Sequence, residues 1–276
     1  MKYNYKEAVK TEILIQMIGK ERKLMPRIGG RKLLVKLQPK LPEELQLGRD
    51  RFFDFLREHQ LLVRRRRNHV RTTFSNHWLH KYPNLVKDFI PDGPHQLWVS
   101  DITYVETAQG FVYLFLITDA YSRKIVGWEV SNTLEADNAV VALRMALSQL
   151  PAGVRTLYHH SDRGVQYCSQ KYVKMLEKNN IQISMTEHGD PLENAVAERM
   201  NGILKDEWLK DMKLKTRVSA RDQIAHIIKI YNADRPHSSV NMLTPDQAHE
   251  QSGTLKRRWK NYWKTKQTEC ELAKEI

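Results

Sequence analysis

Residues 159–167 read His-His-Ser-Asp-Arg-Gly-Val-Gln-Tyr. They follow a short apolar run at 154–158, and the Ser-Gln pair at 169–170 just beyond them is a helix start. Asp162 therefore stands where a buried strand ends, its carboxylate projecting past the sheet. A single aspartate there is most simply a turn residue or a helix cap. Two further acids open a second reading. Asp101 lies inside Trp-Val-Ser-Asp-Ile-Thr-Tyr-Val (98–105), a run rich in β-branched and aromatic residues where a mid-strand carboxylate is unfavourable. Glu198 lies in a helical pattern over 194–209, with thirty-five residues between it and Asp162. At about 100° per residue, Asn194, Glu198, Asn201 and Lys205 share one narrow polar arc. Val196, Ala197, Met200, Ile203, Leu204 and Trp208 fill the other side. Glu207 falls inside the apolar arc and does not fit it.

Working outward from these acids, the order of elements is regular. Helical periodicity runs over 1–20 with Gly19 as a stop, a turn-rich joint follows at 25–30, and helical patterns return at 31–37 and 49–61. Three prolines make 82–94 a linker. Strands are expected at 98–106, 111–118 and 124–130, joined by turns at 107–110 and 119–122 into an antiparallel meander. A helix (136–150), a strand (157–161), a helix (170–178), a strand (181–185) and the Glu198 helix follow. Beyond them lie an amphipathic helix at 218–231 and another opened by Thr244 and Pro245.

At 276 residues the chain can build one substantial core with appendages. No apolar run approaches the ~20 residues that span a bilayer, and the basic N-terminus lacks a signal-type apolar stretch. Two cysteines without metal-type spacing speak against zinc and for a reducing compartment. The net charge of +13 is unevenly spread: residues 1–92 carry +11, 93–212 carry −4 and 213–276 carry +6. Basic flanks around a mildly acidic centre suit a protein that grips phosphate backbones, against the plainer reading of a generally basic surface. The run Arg64, Arg65, Arg66 and Arg67 is either a solvated face or a set of phosphate contacts. The charged and aromatic stretch 256–264 is either a nucleic-acid contact or a poorly ordered tail.

The combined motifs resemble a known family. Asp101, Asp162 and Glu198, with a lysine seven residues after the glutamate, resemble the DDE signature of transposases and retroviral integrases. Four stretches, Trp-Val-Ser-Asp-Ile-Thr-Tyr (98–104), Asp-Ala-Tyr-Ser-Arg-Lys-Ile-Val-Gly-Trp (119–128), the 159–167 stretch and Tyr-Asn-Ala-Asp-Arg-Pro-His (231–237), resemble the second-frame product of one group of bacterial insertion sequences. The likeness runs from about residue 26 to 248. One small departure is Glu193-Asn194-Ala195, where the family usually has Asp-Asn-Ala.

The resemblance implies a ribonuclease-H-like α/β core with a mixed five-stranded sheet, preceded by a helical, helix-turn-helix-like segment and followed by a helical basic tail. The implied divisions are 1–92 for DNA binding, 93–250 for catalysis and 251–276 for the tail. It implies a transposase that cleaves DNA 3′ ends and joins them to new sites with two Mg²⁺ or Mn²⁺ ions, hard cations suited to carboxylate oxygens. Asp101 and Asp162 would share one ion, and Asp101 and Glu198 would contribute to the second. Lys205 and Arg163 would touch DNA with the arginine run. His159, His160 and Gln166 would support the site or touch DNA, buried structural histidines being the simpler reading of the first two. Asp119 is read as a turn residue, with a fourth catalytic acid as the alternative. The expected partners are element ends and target DNA, a first-frame transposase segment and further copies of the chain, in the bacterial cytoplasm at the nucleoid. A phage- or retroelement-type integrase uses the same chemistry on other ends. A catalytically silent DNA-binding descendant is the third reading, and three intact acids weigh against it.

Overall fold

The meander expected between residues 98 and 130 forms one half of a five-stranded sheet in the computed structural model, which describes residues 2–63, 78–154, 156–187 and 193–256. Three helices come first: α1 (Lys2–Leu24), α2 (Gly30–Leu37) and α3 (Arg49–Glu58). Gly19 does not stop α1. No atom crowds that glycine, Ile18 beside it is buried, and packing outweighs a propensity cost of about 1 kcal/mol. Helix α3 ends three residues before the expected boundary. Gln60 takes a left-handed φ of 55°, and the Leu61 amide donates to the Leu56 carbonyl, a Schellman closure made without the usual glycine.

Strands β1 (Leu97–Thr107), β2 (Gly110–Asp119) and β3 (Ile125–Ser131) are antiparallel neighbours. Then come α4 (Ala136–Ser148), β4 (Tyr158–Ser161), a short α5 (Val165–Cys168), α6 (Gln170–Lys178) and β5 (Gln182–Met185). Both β4 and β5 run parallel to β1, and the order across the sheet is β3-β2-β1-β4-β5. This is the mixed ribonuclease-H-like sheet. Helix α7 (Ala195–Glu207) follows, then α8 (Arg217–Asp234) and α9 (Pro245–His249). Thr244 and Gln247 close a capping box at the start of α9. The 82–94 stretch forms no helix or strand, and its backbone ties to the sheet edge, Met185 N–H donating to Pro83 O at 3.2 Å.

Strand β2 is apolar at consecutive positions because both its faces are covered. Phe115 and Ile117 join Trp98 under α4 and α6, while Val112, Leu114 and Leu116 join the α7 and α8 side. Leu14, Ile18, Leu33, Phe52 and Leu56 of the first three helices belong to that second cluster. Among the described residues no helix is long and apolar enough to cross a membrane.

Helix α4 comes unusually close to β3 at Gly127. A β-carbon there would lie 3.0 Å from Ala146 Cβ and closer still to the Ala142 carbonyl oxygen. Both obstacles are backbone or a buried methyl, so neither can swing aside. Gly127→Ala is expected to cost about 1–3 kcal/mol of stability, seen as a lower urea midpoint with an unchanged slope. A wild-type midpoint would show that the helix has room to slide.

Candidate active site

The parallel pairing of β1 with β4 ends at Ser100 opposite Ser161. Asp101 and Asp162 are the next residues on these adjacent strands, which sets two carboxylates side by side where the β4 chain leaves the sheet. Asp162 then folds into a tight turn, its Oδ1 accepting from Gly164 N–H at 3.0 Å. A β-carbon on Gly164 would meet that oxygen at 2.9 Å, so a larger residue there would push the Asp162 carboxylate aside.

The third acid arrives on α7, brought there by two asparagines. Asn194 Nδ2 donates to the Ser100 carbonyl at 3.0 Å, and Asn201 Nδ2 donates to Asp101 Oδ2 at 2.8 Å. Asn194 occupies the N-cap position, yet its side chain makes no cap bond and is spent on β1 instead. Glu198 lies between the two asparagines on the same arc and in the first turn of the helix, where the backbone dipole favours a negative charge.

The acids act on one another electrically. Burial first, then the Asp162 charge, pushes Asp101 up to about 7, with Glu198 adding to the rise and bonds from Asn201 and Ile102 N–H opposing it. Burial lowers the pKa of Lys205, seven residues after Glu198, and the charge of Asp101 works against that. Both asparagine Oδ1 atoms are buried without a hydrogen-bond donor among the described residues. Crowded carboxylates with two unmatched amide oxygens make an acceptor-rich, donor-poor site, which suits a hard divalent cation. As the side chains stand, no three His, Cys, Asp or Glu residues among those described are gathered into a closed metal-binding group.

Most of the neighbouring side chains are hydrogen-bonded into the fold. His159 is buried, with Nε2 2.7 Å from Ser100 Oγ and 2.8 Å from Tyr172 Oη, and burial pushes it down to about 3, so the ring is neutral. His160 Nδ1 lies 2.8 Å from Ser184 Oγ, tying β4 to β5. Gln166 donates to the Leu134 carbonyl at 2.7 Å. Asp119 is fully buried, accepting from His95 N–H and from the backbone and hydroxyl of Ser122, as a turn residue does. Arg163 is half-buried directly after Asp162. Arg64, Arg65, Arg66 and Arg67, and residues 257–264, lie outside the described residues.

Glu207 explains its own misfit. It is the last residue of the helix, and its carboxylate binds Arg235 twice, through Nε at 2.7 Å and Nη2 at 2.6 Å, and Lys32 Nζ at 3.3 Å. Burial alone would raise Glu207, but Arg235 and Lys32 outweigh it and hold the group below the usual carboxylate range. The acid inside the apolar arc was the sequence signal for this network; its partner Arg235 lies in the 231–237 motif.

A family model of the integrase core domain matches residues 91–191, and a second integrase core model matches residues 179–245. The chain is 38% identical over 215 residues to the insertion element IS600 uncharacterized 31 kDa protein of Shigella sonnei, covering 76% of this chain and 78% of that one. It is 34% identical over 194 residues to the transposase InsF for insertion sequence IS3A of Escherichia coli (strain K12), covering 70% and 67%. Among solved structures, the HTLV-2 integrase catalytic core domain in complex with magnesium aligns over 58% of this chain and 100% of its own, at 19% identity and a TM-score of 0.47.

The raised pKa of Asp101 has a consequence for stability. The folded chain keeps a proton that the unfolded chain, near the ordinary 3.8, has lost. The cost is therefore absent below about pH 4, grows toward pH 7 and is complete above it. With divalent ions chelated at pH 8, Asp101→Asn should be more stable than wild type by on the order of 1–3 kcal/mol, the gap closing toward pH 4. Magnesium should then stabilise wild type and not the variant. Urea melts at pH 8 and pH 5 check this; equal midpoints at pH 8 would show that the acids do not burden one another.

Proposed function

The chain belongs to the integrase-core DDE transposases of bacterial insertion sequences, and from that membership we propose that it cleaves DNA at the ends of an insertion sequence and joins the freed 3′ ends to new DNA. In the first step a water oxygen attacks a phosphodiester phosphorus, and the bond to the 3′ oxygen breaks to leave a 3′-hydroxyl. In the second, that hydroxyl attacks a phosphodiester of the target and displaces its 3′ oxygen, so bonds made and broken balance without an external energy source. The observation that supports this reading is the register: Asp101 and Asp162 each directly follow the last paired residues of β1 and β4, and Glu198 lies on α7 between the two asparagines that bond to β1.

Asp101, Asp162 and Glu198 would hold Mg²⁺ or Mn²⁺, two ions in this reading, and such ions would supply Lewis acidity and a more acidic water. The chain's own residues do the rest. Asn201 holds Asp101 Oδ2 and favours its ionised form. Neutral His159 fixes Ser100 without adding charge beside the acids. Lys205, on the Glu198 face, meets a DNA phosphate, and Arg163 contacts DNA beside Asp162. In this reading residues 1–92 bind DNA, 93–250 carry the chemistry, and 251–276 are a basic tail. Its partners are element ends, target DNA, a first-frame transposase segment and further copies of the chain, in the bacterial cytoplasm.

The test is strand transfer on labelled duplexes carrying candidate terminal repeats, with Glu198→Gln as the probe. Glutamine keeps the size and helix propensity, so folding should hold, while metal-dependent cleavage and joining should fall by roughly a hundredfold or more. Near-normal joining by the variant would remove Glu198 from the reaction, and no cleavage by wild type on any duplex would favour a silent DNA-binding protein. Glu207→Gln is not a neutral control, because it strips a buried charge partner from Arg235.

Replacing Arg64–Arg67 with alanine should flatten the slope of log affinity against log salt by roughly 0.9 for each phosphate that the run neutralises. An unchanged slope would assign the run to a solvated face.

A further inference from the structure

We propose that Lys213, Lys215 and Arg217 form a phosphate-binding edge at the tip of the β1–β2 hairpin, which holds a DNA duplex about 20 Å from the acid cluster. The inference rests on the DNA transfer reaction proposed above and adds a contact surface to it.

The three cations lie where the chain passes from α7 to α8. Met212 and Thr216 both have extended backbone, with φ and ψ of −87° and 129°, and −131° and 160°. Leu214 between them is buried while Lys213, Lys215 and Arg217 are exposed, the alternation of an extended chain. Successive outward positions are therefore ~6.6 Å apart, two residues at about 3.3 Å each. The segment is fastened rather than loose. Ala108 N–H donates to the Leu214 carbonyl at 2.9 Å, and Arg217 N–H donates to Gln109 Oε1 at 3.2 Å, both from the hairpin tip. The Arg217 guanidinium also reaches Gly110, with Nη2 3.4 Å from where a β-carbon would sit.

Pairing separates these three from the cations around them. Arg27 pairs with Asp211, Lys210 with Asp206 and Arg221 with Glu129. Lys213, Lys215 and Arg217 have no ion pair among the described residues, so they meet a phosphate without first giving up an acid. A row of fastened, unpaired cations fits a regular line of phosphates better than a scattered basic surface does.

The row also leads toward the acids. Asn194 touches Ser100, Asn201 touches Asp101 and Leu214 touches Ala108, so α7 and the segment after it follow β1 from the acid cluster to the hairpin tip. Lys205 lies on α7 between the two ends. Six residues of strand separate Asp101 from Thr107, about 20 Å, or roughly six base pairs of duplex.

The experiment measures the full chain binding a fluorescein-labelled 40-base-pair duplex of mixed sequence, over a salt series without divalent ions, with Mg²⁺-dependent cleavage of duplexes carrying the candidate terminal repeats followed in parallel. Lys213→Ala/Lys215→Ala/Arg217→Ala should flatten the log–log salt slope by up to roughly 2.7, about 0.9 for each phosphate held. Lys213→Arg/Lys215→Arg should keep the wild-type slope. Arg144→Ala/Lys174→Ala/Lys178→Ala removes the same charge from the exposed surface of α4 and α6, and should leave the slope unchanged. A triple variant with the wild-type slope, or one matched by the α4 and α6 control, overturns the proposal while wild-type binding and cleavage keep the proposed reaction. A wild-type chain that neither binds nor cuts DNA overturns both.

Discussion

Two asparagine amides fasten helix α7 to strand β1, one at the Ser100 carbonyl and one at the Asp101 carboxylate, and the place of Glu198 beside the other two acids follows from them. The sheet alone brings Asp101 and Asp162 together, because parallel strands in register carry neighbours side by side. It cannot bring Glu198, which is distant in sequence and lies on another element. The seven-residue spacing of Asn194 and Asn201, two helical turns, leaves one polar position between them facing the same strand, and Glu198 fills it. The bond from Asn201 also does electrical work. It opposes the rise in Asp101 caused by burial and by like charge, so one contact both aligns the helix and favours the ionised acid.

The far end of the same helix is held by a different kind of force. Glu207 is enclosed with Arg235, itself completely buried, and with Lys32 of α2. Burial pushes Lys32 down to about 8, with Arg235 adding to the fall and Glu207 opposing it. Removing one partner of such a pair leaves a buried charge unmatched, at a cost of about 3–5 kcal/mol. The indole of Trp208 donates to the Leu24 carbonyl at 2.8 Å, and Lys36 bonds Asp234 at the end of α8. The first helices are thus tied to both α7 and α8, and they share an apolar cluster with the sheet face beneath the acids. A change in those helices has a direct mechanical route to the helix that carries Glu198.

Much of this was legible in the residues. Strand and helix order between 97 and 207, apart from the short α5, followed from alternation and periodicity, and the polar arc of Asn194, Glu198, Asn201 and Lys205 followed from the helical repeat. What stayed hidden depended on contacts between distant segments. The clamp role of the asparagines needed the sheet register, which places Ser100 and Asp101 under α7. Glu207 looked misplaced because a helical wheel has no means of showing Arg235 or Lys32. Gly19 read as a stop because propensity was visible and packing was not, and α3 ended at a left-handed Gln60 that carries no glycine or asparagine signal. The cations at 213–217 were counted only as part of a basic flank, since their alternation gains meaning once Leu214 is seen to be buried and fastened to the hairpin.

In the function proposed above, Asp101, Asp162 and Glu198, brought together through the α7 clamp, hold the divalent cations. The most direct measurement is anomalous diffraction from crystals of the full chain soaked in Mn²⁺. Manganese is expected among these three carboxylates, at oxygen distances of roughly 2.0–2.3 Å, with the Asn201 to Asp101 bond intact. Manganese bound elsewhere, or bound among the acids only after α7 has left β1, would contradict the account.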